Sequence, residues 1–126
     1  MLGVRGKLTL IVTLFSIYSG FTSAKSECRE MATRVVLDSD IAPTFLKDKE
    51  DLEDLQANMY NSEVFCKRLV KAIKTGKVTA DSIRIKTDAG LKKAEEKYQS
   101  DGDVDEFEFE KMLAKVTMES IRIAEK

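Results

Sequence analysis

No histidine and no tryptophan occur in these 126 residues, proline occurs once, at Pro43, and cysteine twice, at Cys28 and Cys66. Without histidine there is no Ser-His-Asp or Cys-His nucleophile, no haem held by imidazole, and none of the zinc sites that need histidine ligands. Two cysteines this far apart complete neither a thiolate metal site nor a CxxC redox pair. The glycines form no phosphate-binding loop. Neither sign of charge dominates, with 21 basic against 22 acidic residues, so the basic excess of a nucleic-acid binder or a polybasic membrane binder is missing. There is no Asn-x-Ser/Thr sequon, and N-glycosylation is not expected. These absences point away from an enzyme and from any cofactor.

What is present starts with a processing signal. Arg5 and Lys7 precede an uncharged apolar run from Leu8 to Tyr18, and Thr22-Ser23-Ala24 places small residues where a cleavage site needs them. That is the layout of a secretory signal peptide over residues 1–24. The run falls short of the ~20 residues that span a bilayer, and no later segment is apolar enough to do so. Removing Arg5 and Lys7 leaves 19 basic against 22 acidic side chains, a net charge of −3 on residues 25–126. That length suits one small domain.

The chain also resembles itself. Lys77-Val78-Thr79-Ala80-Asp81-Ser82-Ile83-Arg84-Ile85 returns 38 positions later as Lys115-Val116-Thr117-Met118-Glu119-Ser120-Ile121-Arg122-Ile123, identical at seven of nine places. The same offset lays Cys28 over Cys66 and Tyr60 over Tyr98. A tandem repeat with units at about 28–65, 66–103 and a partial 104–126 is therefore expected. It makes Ile83 and Ile121 equivalent buried sites, and sets Arg84 and Arg122 as a candidate recognition surface.

Hydrophobic periodicity is helical throughout. Cys28, Met31, Ala32 and Val35 fall at i, i+3, i+4, i+7, as do Cys66, Leu69, Val70 and Ile73. Leu52, Leu55 and Met59 make a short stripe between about 48 and 60. Gly76 would ordinarily close a helix, but its repeat counterpart is Ala114, in a strongly helical stretch. The repeat thus favours one helix over about 62–86, with Ala72, Gly76 and Ala80 as a small-residue ridge. Further helices are expected at about 88–99 and 104–125. The last opens on Asp103 with Glu106 three residues on, and its seam runs through Phe109, Leu113, Val116 and Ile123. The expected fold class is all-α, about five helices.

An even cysteine count in an exported chain points to a disulfide, Cys28 to Cys66 within the chain, with interchain bridges that hold a dimer as the alternative. A disulfide wants Cα atoms about 5.5 Å apart, nearer than the roughly 8–10 Å between stacked helix axes. Units facing each other across a pseudo-two-fold satisfy that better than units stacked in parallel.

The segment from Tyr98 to Leu113 is similar to the loop and exit helix of an EF-hand. Gly102 and Val104 are spaced like the loop glycine and the apolar residue two later, and Glu108 stands at the bidentate position. Counting back from Glu108 puts Lys97 and Gln99 at the first and third ligand positions, leaving Asp101 as the one carboxylate among the first three. The resemblance implies weak calcium association. The plainer reading is an acidic helix start that complements the helix dipole.

Taken together, the sequence points to a secreted, extracellular, non-enzymatic binding protein, expected to be monomeric, with no nucleic-acid partner and no membrane span. Its partner is an extracellular protein, or alternatively a small apolar ligand carried by Met31, Phe45, Leu69, Phe107, Phe109 and Met118. A calcium-associated matrix component is the third reading.

Overall fold

A computed structural model describes residues 26–39 and 49–126; the leader at 1–24, Pro43 and Phe45 lie outside these. Among the described residues there are four helices and no strand. α1 covers 26–38. α2 is Lys49–Lys74, α3 is Ala80–Asp101, and α4 is Val104–Ala124.

The ends of the helices follow from local chemistry. Ser39 stops α1 by folding back, its hydroxyl donating to the Val36 carbonyl at 2.6 Å. α2 ends on Gly76 with φ +77°. The Gly76 N–H donates to the Ile73 carbonyl at 3.1 Å and the Lys77 N–H to the Ala72 carbonyl at 2.9 Å, the paired bonds of a Schellman cap. Thr79 then starts α3, its Oγ1 accepting from the Ser82 N–H at 3.1 Å. Gly102, with φ +71°, closes α3, and Asp103 caps α4 by accepting from the Glu106 N–H at 3.1 Å.

Two expectations are corrected here. The stripes at 48–60 and 62 onward belong to one helix, α2, so four helices stand where about five were expected. The single helix over 62–86 does not form, because Gly76 takes the left-handed conformation that its missing Cβ permits. The Ala72-Gly76-Ala80 ridge goes with it.

Packing is organised around α4. Cys28 meets Cys66 and Arg29 meets Glu63, so α1 runs antiparallel to α2. Glu27 pairs with Lys126 and Arg34 with Glu119, so α1 is also antiparallel to α4. The core between these three helices contains Met31, Val35, Val36, Leu55, Val70 and Val116 around the two cysteines. The buried stripe of α4 keeps Val116 and Ile123 of the expected seam, with Phe109 packed at its edge, but takes Met112 and Ser120 in place of Leu113, which is 38% exposed. Ser120 is tolerated in the core because its hydroxyl donates to the Val116 carbonyl at 2.7 Å.

α3 lies on the other side of α4 and contributes no buried residue. Its half-buried positions include Ala80, Arg84, Thr87, Leu91, Ala94 and Tyr98, spaced alternately by four and three as in a coiled-coil seam. Tyr98 stacks on Phe107 with ring centroids 5.0 Å apart, while Arg84, at the far end of α3, reaches Glu125. The two helices therefore form an antiparallel hairpin.

The 38-residue similarity does not carry a shared environment. Lys77, Val78 and Thr79 lie in the turn between α2 and α3, whereas Lys115, Val116 and Thr117 are inside α4. Ile121 is 1% exposed and sealed in the core, but Ile83 is half-buried. Ile123 is buried while Ile85 is 69% exposed.

Candidate functional site

The cysteines are the one proposed pair that the fold brings together. Their Cα atoms are 5.6 Å apart in a disulfide, and both residues are fully buried. The antiparallel crossing of α1 and α2 supplies the close approach that parallel stacking would deny.

Beside the bridge sits the most buried carboxylate among the described residues. The Glu63 side chain is 9% exposed and accepts from Arg29 Nε at 3.0 Å, with Lys67 Nζ at 3.3 Å. Burial pushes its pKa up, but the hydrogen bonds from Arg29 and Lys67 and their charges outweigh that, leaving it below the ordinary 4.5. The arrangement holds a carboxylate ionised and ties α1 to α2. It presents no free nucleophile.

Arg84 and Arg122 sit in different settings. Arg84 donates to Asp81 at 2.9 Å and bridges to Glu125 across the α3–α4 hairpin. Arg122 instead lines a groove of about 190 Å³ between α1 and α4, with Glu27, Glu30, Arg34, Glu119 and Lys126 around it. The ion pairs Arg34–Glu119 and Arg122–Glu119, both at 3.5 Å, and Lys126–Glu27 at 3.1 Å cross or line that groove. Pairs this exposed contribute about 0–1 kcal/mol each. Arg84 is therefore occupied in joining two helices, and Arg122 belongs to a charge-balanced groove.

The EF-hand likeness does not survive folding. Residues 97–101 are the last turn of α3 and 104–108 the first turn of α4, so only Gly102 and Asp103 are left between the helices. Twelve ligand positions cannot wrap an ion when ten of them are helical. Asp103 and Asp101 are engaged by the turn itself, the Asp103 N–H donating to Asp101 Oδ1 at 2.9 Å. Among the described residues no group of three or more acidic or cysteine side chains is placed to hold a metal. Lys97 reaches across the hairpin to Glu106 at 2.7 Å, and that hydrogen bond raises its pKa above 10.5.

The apolar set considered for a ligand also disperses. Met31 is in the disulfide core, Leu69 is buried, and Phe107 stacks on Tyr98 at the hairpin tip. Phe109 packs against the core edge. Beside Phe107 a second cleft of about 210 Å³ is lined by Tyr98, Lys93, Lys97 and Glu106, and Lys111 Nζ sits 4.9 Å from the Phe107 ring centroid. Both clefts are smaller than the roughly 300–1,000 Å³ usual for small-molecule sites, and both are edged by charge.

Sequence reasoning passed over one feature, the cation run Lys67, Arg68, Lys71, Lys74 and Lys77. Averaging charge over the chain hides it. The signal was available, since residues 64–80 contain five basic residues and no acid.

No family model matches the chain, and no curated protein or solved structure matches it either.

Proposed function

We propose that this is an exported, non-enzymatic binding protein that works outside the cell on a macromolecular partner. The observation that carries the reading is the fully buried cysteine pair joined between α1 and α2. Buried disulfides that staple small domains belong to oxidising compartments, and the secretory pattern over residues 1–24 agrees with that destination. Small, charge-edged clefts suit contact with a large surface better than capture of a small apolar molecule. No helix of the described residues is long and apolar enough to cross a membrane.

The test is to express the chain with its own leader in a secretory host and weigh the released protein intact. The expected product starts at Lys25 and takes up no alkylating reagent before reduction. Retention of residues 1–24, or two thiols open to alkylation, contradicts export of a stapled protein. Lipid co-purifying at stoichiometric amounts would instead favour a carrier, and a higher Tm in millimolar calcium a calcium-associated protein.

A further inference from the structure

We propose that the C-terminal half of α2 is a docking strip for a linear sulfated polysaccharide. The inference rests on the extracellular reading above and names the partner class. Lys67, Lys71 and Lys74 fall at i, i+4 and i+7, with Arg68 beside them, so all four share one face of α2. That face is opposite the one that buries Ser62, Cys66, Leu69 and Val70. From Lys67 to Lys74 the row covers about 10 Å of helix axis, and Lys77 extends it into the turn. Tyr60, 65% exposed, stands on the same face at the other end.

The fold itself accounts for only part of this charge. A helix C-terminus favours cations only within its last turn, which covers Lys71 and Lys74 but not Lys67 or Arg68. Lys67 shares Glu63 with Arg29. Arg68, Lys71, Lys74 and Lys77 make no ion pair among the described residues. The acidic turn at 101–110 differs in this respect. Asp101 and Asp103 cap the turn, Glu106 holds Lys97, and Glu108 holds Lys111. Four of the six acids at 101–110 are engaged locally, whereas Arg68, Lys71, Lys74 and Lys77 carry no ion pair among the described residues, so an external polyanion fits the strip better than the acidic end of a second copy. A bilayer surface fits less well, because the apolar stripe of α2 is mostly spent on the core and leaves only the scattered side chains Leu52, Tyr60 and Phe65 exposed, too few for an inserting face.

The experiment measures heparin binding to the full exported, oxidised protein across a sodium chloride series. Counterion release from four or five contacts gives a slope of log affinity on log salt of about −3 to −4. Lys71→Gln/Lys74→Gln should weaken binding roughly 30-fold at low salt, with the fold intact and Tm lowered by no more than a few degrees, since both lysines also complement the end of α2. Lys86→Gln/Lys92→Gln removes the same charge from exposed positions of α3 and should weaken it by less than about 3-fold. Equal losses from both pairs would show a net-charge effect and overturn the strip. A flat salt dependence would do the same. Equal affinity for duplex DNA, or for phosphatidylserine-containing vesicles, would overturn the choice of polysaccharide. Salt-reversible self-association abolished by Lys71→Gln/Lys74→Gln would assign the strip to a second copy. None of these results alters the mass and thiol state of the exported protein, so failure here is distinct from failure of the extracellular reading.

Discussion

Two parts of this molecule are built from similar sequence to different standards. One is the wedge of α1, α2 and α4, closed by Cys28–Cys66 and filled by Met31, Val35, Leu55, Val116 and Ile123. The other is the hairpin that α3 makes along the opposite side of α4, where α3 buries nothing fully and the contacts include a Tyr98–Phe107 stack and exposed ion pairs. Burial of apolar surface stabilises by about 25 cal/mol per Å², whereas an exposed ion pair contributes little. Stability should therefore be concentrated in the wedge. A 22-residue helix with one half-covered stripe draws its order from the neighbour it leans on.

Removing the staple should have the largest effect. Cys28→Ser/Cys66→Ser should lose roughly 4 kcal/mol in the chain-entropy model for a loop of this length, read by urea denaturation. A loss under about 1 kcal/mol would mean the wedge holds without it.

The repeated isoleucines contrast a sealed site with a half-open one. Ile121→Ala should cost about 2–4 kcal/mol, as truncation of a sealed core residue does. Ile83→Ala should cost roughly 1 kcal/mol or less, since its site is half open to water. Equal losses would mean the two copies share an environment after all.

Gly76→Ala should destabilise by about 1 kcal/mol, because φ of +77° is unfavourable for any residue with a Cβ. No atom crowds the position, so strain and not a clash sets the effect. A neutral result would indicate that α2 runs on past Lys74.

Acid acts through Glu63. Its folded pKa is lowered, so the stabilisation it gives is complete above the unfolded value and is lost as pH falls from 4.5 through the folded value. Glu63→Gln should flatten the acid limb of a stability curve below that point. An unchanged limb would place the linkage elsewhere.

How much of this was legible depended on which signal was local. The all-α class, the stripe through Cys28, Met31, Ala32 and Val35, the cysteine pair and the Asp103 cap were readable because each rests on spacing within a turn or two. Gly76 was readable in the same way, as a helix stop, and was misjudged when the distant similarity to Ala114 was allowed to outrank it. Repetition of Lys-Val-Thr across 38 positions says nothing about φ at a neighbouring glycine. The stripes at about 48–60 and from 62 read as separate helices, yet α2 passes through both. The shift of the α4 seam from Leu113 to Met112 follows from how α4 is shared between α2 and α3, which no single-helix pattern carries. The cation strip was invisible for the opposite reason, being erased by a whole-chain charge average.

Native-state hydrogen exchange on the oxidised protein compares the two regions directly. Amides of α3 between about 84 and 100 should exchange at least ~10-fold faster than those of α2 near Cys66 and of α4 between 112 and 123, through openings that leave the wedge closed. Protection of α3 equal to that of the α2 segment around Cys66 would contradict the division, and would mean that the hairpin and the stapled wedge unfold as one unit.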